Sequence, residues 1–142
     1  IDVAFASWLL EHLERPSLRM AQLARVLRPG GVFVFITPNK RHPLSGLNRM
    51  LGRFARLQGT LVARIYGRAG ADTFPTYYRA NTAEDLRQLA AAHGLELIAL
   101  QAIADPTYLA FTPALFRLMI WFEAKLSADR QLHLVGCLRR QE

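Results

Sequence analysis

Cysteine is almost missing from this chain: Cys137 stands alone. That excludes a disulfide framework and any zinc site built from several cysteines. Lysine is scarce as well, with only Lys40 and Lys125, so arginine carries the positive charge. No uncharged apolar run is long enough to span a bilayer. No signal-peptide pattern opens the sequence, which sets a cytoplasmic expectation. No G-x-G-x-x-G loop follows any strand-like run, and there is no Walker motif, no nucleophile elbow and no paired carboxylates on the crevice loops. The four histidines show no metal-ligand spacing, so no metal site is expected. Repeats and low-complexity stretches are absent too.

What remains is a well-furnished globular sequence. In 142 residues, 51% are hydrophobic and 20% charged, enough apolar material to bury a core without staples. The formal net charge of +7 is concentrated in one place. Lys40, Arg41, Arg49, Arg53, Arg56, Arg64 and Arg68 fall in a stretch with no acid, whereas basic and acidic residues balance elsewhere. Such a segment is either a solvated arginine face or a surface for an anionic partner.

The apolar pattern gives an order of elements. Asp2–Ala6 reads as a strand covered on both faces. Met20, Leu23, Ala24 and Leu27 form one helical stripe, with Ser17 as a candidate N-cap. Pro29-Gly30-Gly31 turns the chain into a second buried strand, Val32–Ile36. Strand, helix and strand in under forty residues make a right-handed βαβ unit. A basic amphipathic helix is expected from about Pro43, and a second through Leu61–Tyr66. Thr82 with Asp85 resembles a capping box, opening a helix that closes at Gly94. A strand over Leu95–Ile103, an apolar helix over Pro113–Leu126 and a last strand over Gln131–Leu138 complete the series.

In open α/β sheets ligands bind beyond the carboxyl ends of the strands. That directs attention to Ser7, Trp8, Glu11 and His12 after the first strand, and to Thr37, Pro38 and Asn39 after the second. His12 reads either as a general base or substrate-orienting group, or as a helix-end residue bonded to backbone. Tyr77, Tyr78 and Arg79 either line a substrate pocket or pack their loop onto the sheet. His42, His93 and His133 read as structural, and Cys137 as a small core residue.

Three stretches resemble a known family. Asp2–Leu13 (DVAFASWLLEHL) is similar to the fourth strand and following loop of class I S-adenosylmethionine-dependent methyltransferases. Leu23–Ile36 (LARVLRPGGVFVFI) resembles the helix, turn and fifth strand of that family, and Thr37-Pro38-Asn39 its common exit. Tyr77–Leu97 resembles the helix leading into its sixth strand. The resemblance implies a partial Rossmann-like sheet, strands four to seven of seven, ordered 4-5-7-6 with strand seven antiparallel. It implies that residues 1–142 are the C-terminal portion of one domain, with about a hundred residues upstream that would hold the glycine-rich cofactor loop. The opening on Ile1, directly before a strand, agrees with a fragment.

By the same resemblance Ser7 and Trp8 contact the cofactor, S-adenosylmethionine, and His12 lies near the transferred methyl group. Thr37 and Asn39 border the substrate mouth, and residues 40–80 are an inserted, basic, lid-like segment. The implied activity is methyl transfer to a small-molecule acceptor, lipid-linked or apolar, by the intact protein, this chain alone being inactive. Peripheral contact with an anionic membrane is compatible with the basic segment. The alternative is a non-catalytic, truncated methyltransferase-fold module that binds a partner. Nucleic acid ranks lower, because Phe54 and Tyr66 fall on the apolar face instead of among the arginines.

Overall fold

The computed structural model describes residues 1–52 and 75–142. Four strands are seen, β1 (Val3–Ser7), β2 (Val32–Pro38), β3 (Leu95–Ile103) and β4 (His133–Arg140). Four α-helices accompany them, α1 (Pro16–Val26), α2 (Pro43–Gly52), α3 (Ala83–Ala91) and α4 (Pro113–Lys125). Short 3-10 turns occupy Leu10–His12, Pro106–Leu109 and Ala128–Arg130. The sheet order is β1-β2-β4-β3. β1 and β2 run parallel, Val3 opposite Val32 and Ser7 opposite Ile36, as a βαβ unit requires. β4 runs antiparallel to both β2 and β3, so the sheet has the expected 4-5-7-6 arrangement.

Alternation along β2 decides which face is inside. Phe33, Phe35 and Thr37 are buried, while Val32, Val34 and Ile36 are only partly covered. The buried face carries Ala6, Phe33, Phe35, Leu134 and Leu138, and α1 and α3 lie over it with Met20, Leu27, Leu86 and Ala90. Each Phe, Leu and Met among these contributes roughly 1.5–3 kcal/mol by leaving water, and the alanines less. The opposite face differs from the expectation that β1 is covered twice. Phe5 is 68% exposed, and Val3 and Ile98 are also open. Among the described residues, helices cover one side of β1.

Local signals are mostly realised. Thr82 Oγ1 accepts the Asp85 N–H at 3.0 Å and so caps α3. Gly94 has φ +68, the left-handed value that lets the chain turn into β3. Ser17 does not cap α1, which begins at Pro16, already in the first turn. Its hydroxyl instead pairs with His93 Nε2 at 2.9 Å and ties α1 to the end of α3. β2 runs two residues beyond Ile36 because Thr37 and Pro38 still pair with Leu134 and His133. β4 is displaced the same way, ending at Arg140. The expected helix through Leu61–Tyr66, and Arg53, Arg56, Arg64 and Arg68, lie outside the described residues.

Candidate functional site

The carboxyl ends of β1 and β2 meet at one rim. Ser7 closes β1, and the Trp8 N–H continues the ladder by donating to the Ile36 carbonyl at 3.0 Å. Trp8 then takes φ +55, a left-handed backbone uncommon for a bulky residue. Its indole is 44% exposed and stands edge-on to His133, ring centroids 4.7 Å apart. Tyr78 has the same kind of backbone, φ +51. Both non-glycine residues with positive φ among those described therefore lie at this rim or directly beneath it, where strain costing about 1–3 kcal/mol each points to function.

Glu11 holds the rim together. Its carbonyl accepts the N–H groups of Tyr77 (2.7 Å) and Tyr78 (3.2 Å), so loop 75–78 hangs from the turn after β1. Its side chain is buried and accepts the Thr37 hydroxyl at 3.1 Å. Asn81 Nδ2 donates to Thr37 Oγ1 at 2.7 Å and to the Pro38 carbonyl at 3.0 Å. Burial pushes the Glu11 carboxyl up from its ordinary range; hydrogen bonds from its own backbone and Thr37, and the nearby His12 and His133, offset part of that.

A cleft of about 700 Å³ opens beside this network, with Trp8, Leu9, His12, Leu13, Leu18 and Tyr77 in its walls. His12 Nδ1 donates to the Pro75 carbonyl at 2.9 Å, and Nε2 lies 3.9 Å from Glu11 Oε1. Arg79 does not reach this wall. Its Nη1 donates to the Glu14 carbonyl at 2.6 Å, and its guanidinium stands 5.5 Å from the Tyr77 ring centroid. Ser7, Trp8, His12 and Tyr77 are thus gathered at the rim, while Thr37, Asn39 and Tyr78 are buried beneath it. Asn39 is engaged by backbone on every side. Its Nδ2 donates to the Asp129 and Gln131 carbonyls at 2.9 Å each, and its Oδ1 accepts the Arg41 N–H at 3.0 Å.

A second polar cluster lies under α2, and sequence spacing did not reveal it. His133, at the start of β4, pairs with Pro38 across the sheet and donates from Nε2 to Asp105 Oδ2 at 3.0 Å. Burial alone would raise Asp105, but hydrogen bonds from Thr107 and His133 outweigh it and hold the carboxyl below its usual range. His42 is fully buried. Its Nδ1 accepts the Leu44 N–H at 3.1 Å, and Nε2 lies 3.1 Å from Glu123 Oε1. Burial, helped by His133, lowers His42 to about 4, and burial together with Asp105 raises Glu123. The four residues come from distant parts of the chain, so no local motif announces them. Among the described residues no group of three or more acidic, histidine or cysteine side chains could hold a metal ion. Nor is any helix there long and apolar enough to cross a membrane.

Comparison with known proteins agrees with this geometry. The family model described as a methyltransferase domain matches residues 1–100. No curated protein matches the chain. Among solved structures, an S-adenosylmethionine-dependent methyltransferase from Methanosarcina mazei superposes with TM-score 0.56 at 14% identity, covering 99% of this chain and 59% of that one. One from Mesorhizobium loti gives 0.54 at 17%, covering 99% and 62%. Geranyl diphosphate C-methyltransferase from Streptomyces coelicolor, solved with Mg2+, geranyl diphosphate and S-adenosyl-L-homocysteine, gives 0.50 at 10%, covering 99% and 47%. At such identities the likeness is one of fold. The chain spans between about half and two thirds of each of these proteins.

Proposed function

Because this chain belongs to the methyltransferase domain family, we propose that the intact protein transfers a methyl group from S-adenosylmethionine to a small-molecule acceptor. The observation that carries the reading is the family match over residues 1–100, which includes the whole rim described above apart from His133. When bound, the cofactor supplies an electrophilic methyl group on a sulfonium centre. The described residues fit the part of its site that the fourth and fifth strands of the family supply. Trp8 offers an exposed aromatic plane on a constrained backbone, and the cleft falls in the size range of small-molecule sites. No glycine-rich loop is present in the sequence, so these residues hold one side of the cofactor.

The remaining work is alignment, which is what the rim is built for. Ser7 and Trp8 line the cofactor side. Glu11, Thr37 and Asn81 fix the loop bearing Tyr77 and Tyr78. Tyr77, braced by Arg79, faces the cleft, and Tyr78 and Asn39 are buried beneath the rim. His12 orients the acceptor or takes its proton. Residues 40–80 form a basic lid, and the acceptor is apolar or lipid-linked. The neighbour solved with geranyl diphosphate, an apolar chain on an anionic head, supports pairing those features. Contact with an anionic membrane is proposed to be peripheral, in a cytoplasmic setting.

Calorimetry of the intact protein tests the reading. S-adenosylmethionine is expected to bind it, and to bind residues 1–142 weakly or not at all. His12→Ala is expected to lower turnover more than cofactor affinity. Micromolar binding by residues 1–142 would contradict the half-site. An intact protein that binds no cofactor would leave the partner-binding module as the better reading.

A further inference from the structure

The Asp105–His133 pair is used by nothing described so far, yet its geometry is that of a prepared proton acceptor. His133 is only 4% exposed. Its Nε2 donates to Asp105 Oδ2, and Asp105 is itself held by the Thr107 N–H (3.0 Å) and hydroxyl. With Nε2 committed as donor to a carboxylate, the lone pair of the neutral ring is left on Nδ1. Nδ1 is buried and makes no hydrogen bond within the described structure. A buried polar atom without a partner costs about 1–3 kcal/mol, so its retention calls for a reason.

The surroundings supply one. His133 lines a small cavity of about 20 Å³ with Pro38, Leu44, Tyr78, Leu132 and the buried Ser45, a second polar group there, and Tyr108 is its one exposed wall. That volume admits one water-sized group. The cavity lies at the carboxyl end of β2 and against the first turn of α2, the strand end beyond which open α/β sheets bind their ligands. On its other side the His133 ring meets Trp8, the residue assigned to the cofactor.

We propose that His133, oriented by Asp105, is the catalytic base for methyl transfer, and that the acceptor presents a weakly acidic hydroxyl, a phenol or enol, to Nδ1. This rests on the methyltransferase reading and deepens it. The O–H bond breaks, its proton passes to Nδ1, and the electron pair stays on oxygen to form the new bond to the methyl carbon while the methyl–sulfur bond breaks, its electron pair staying on sulfur to leave the neutral thioether S-adenosylhomocysteine. The imidazolium is paired with Asp105 and returns its proton to solvent. A carboxylate acceptor is disfavoured by the negative charge of Asp105 beside the ring. The cavity admits the hydroxyl alone, so the acceptor's skeleton lies outside it, past the exposed Tyr108. Asp105 is a positioning residue, and His12 is left to orient the acceptor from the cleft.

Two measurements on the intact protein test this. Nitrogen-15 spectra of the histidine rings, assigned with His133→Gln, are expected to show His133 with its proton on Nε2 at neutral pH. Asp105→Asn is expected to move that proton to Nδ1, since an amide can donate where the carboxylate could only accept. Labelled-methyl transfer to a panel of phenols and enolised 1,3-diketones is expected to fall 10²–10⁴-fold in His133→Gln, with cofactor affinity within twofold of wild type. A protonated Nδ1 in the wild type, or a His133→Gln protein that turns over normally, would overturn the base. Cofactor binding with no transfer to any phenol or enol would overturn the acceptor class. Failure of the wild type to bind S-adenosylmethionine at all would overturn the methyltransferase reading, and this proposal with it.

Discussion

His42 has no contact with solvent and faces Glu123 across 3.1 Å. Burial favours the uncharged ring and lowers it from 6.5 to about 4. A histidine lowered in the folded state stabilises the fold above its unfolded pKa. That contribution is lost as pH falls from about 6.5 toward 4, and it amounts to roughly 3 kcal/mol. Glu123, raised by burial, works in the opposite sense as pH rises above its ordinary value, so the net slope is shallower than His42 alone would give. The difference between wild type and His42→Asn isolates the histidine, since asparagine can still accept the Leu44 N–H. Urea denaturation at pH 7, 5.5 and 4.5 is expected to show the advantage of the wild type shrinking by roughly 2–3 kcal/mol. Parallel curves would show that His42 does not titrate differently on folding. At this scale the sequence was least informative. His42 and His133 were read as structural because their partners, Glu123 and Asp105, lie far along the chain and no spacing rule links them. Trp8 and His12 are legible as candidates, because the end of the first strand and the family resemblance point to the same loop, whereas Tyr77 stands out only as an aromatic near a cation in a loop.

Secondary structure was the more readable level. β2 announces itself through VFVFI, α3 through Thr82 and Gly94, and α4 through its apolar length, and each lies within two residues of its expected bounds. What periodicity could not supply was partnership between elements. Ser17 reads as a cap until His93 is found 2.9 Å away, and the β2–β4 pairing that lengthens β2 depends on a strand encoded a hundred residues later. That pairing also explains Gly136. It sits opposite Phe35, and a Cβ there would lie 2.4 Å from the end of the Phe35 ring and 3.0 Å from Leu100. Phe35 is fully buried and cannot swing away. Gly136→Ala is expected to destabilise the sheet by about 1–3 kcal/mol through overpacking, read as a lower urea midpoint with unchanged slope. A neutral result would mean that β2 and β4 shift apart easily.

Across the whole molecule, both the net charge and part of the exposed apolar surface are concentrated. The acid-free stretch from Lys40 to Arg68 accounts for the net +7. On α4, Leu118 (55% exposed) and Trp121 (59% exposed) stand at helical spacing beside Arg117 and Lys125. An aromatic and aliphatic stripe flanked by cations suits the headgroup region of an anionic bilayer. Sedimentation with vesicles containing phosphatidylserine is expected to carry the protein down, and less so at 0.5 M salt or in Trp121→Ala. Equal binding to neutral phosphatidylcholine, or none to either, would remove the membrane from the proposal. The same global view gives β4 an importance that its position in the sequence conceals. It is the last of the four strands to be synthesised, yet it is the plank between β2 and β3. In a chain that stops before His133, β1 and β2 can already pair, but β3 has no neighbour in the sheet. Free chains cut before His133 should therefore carry a loose, protease-sensitive β3, and the sheet should close only when β4 slides into its middle.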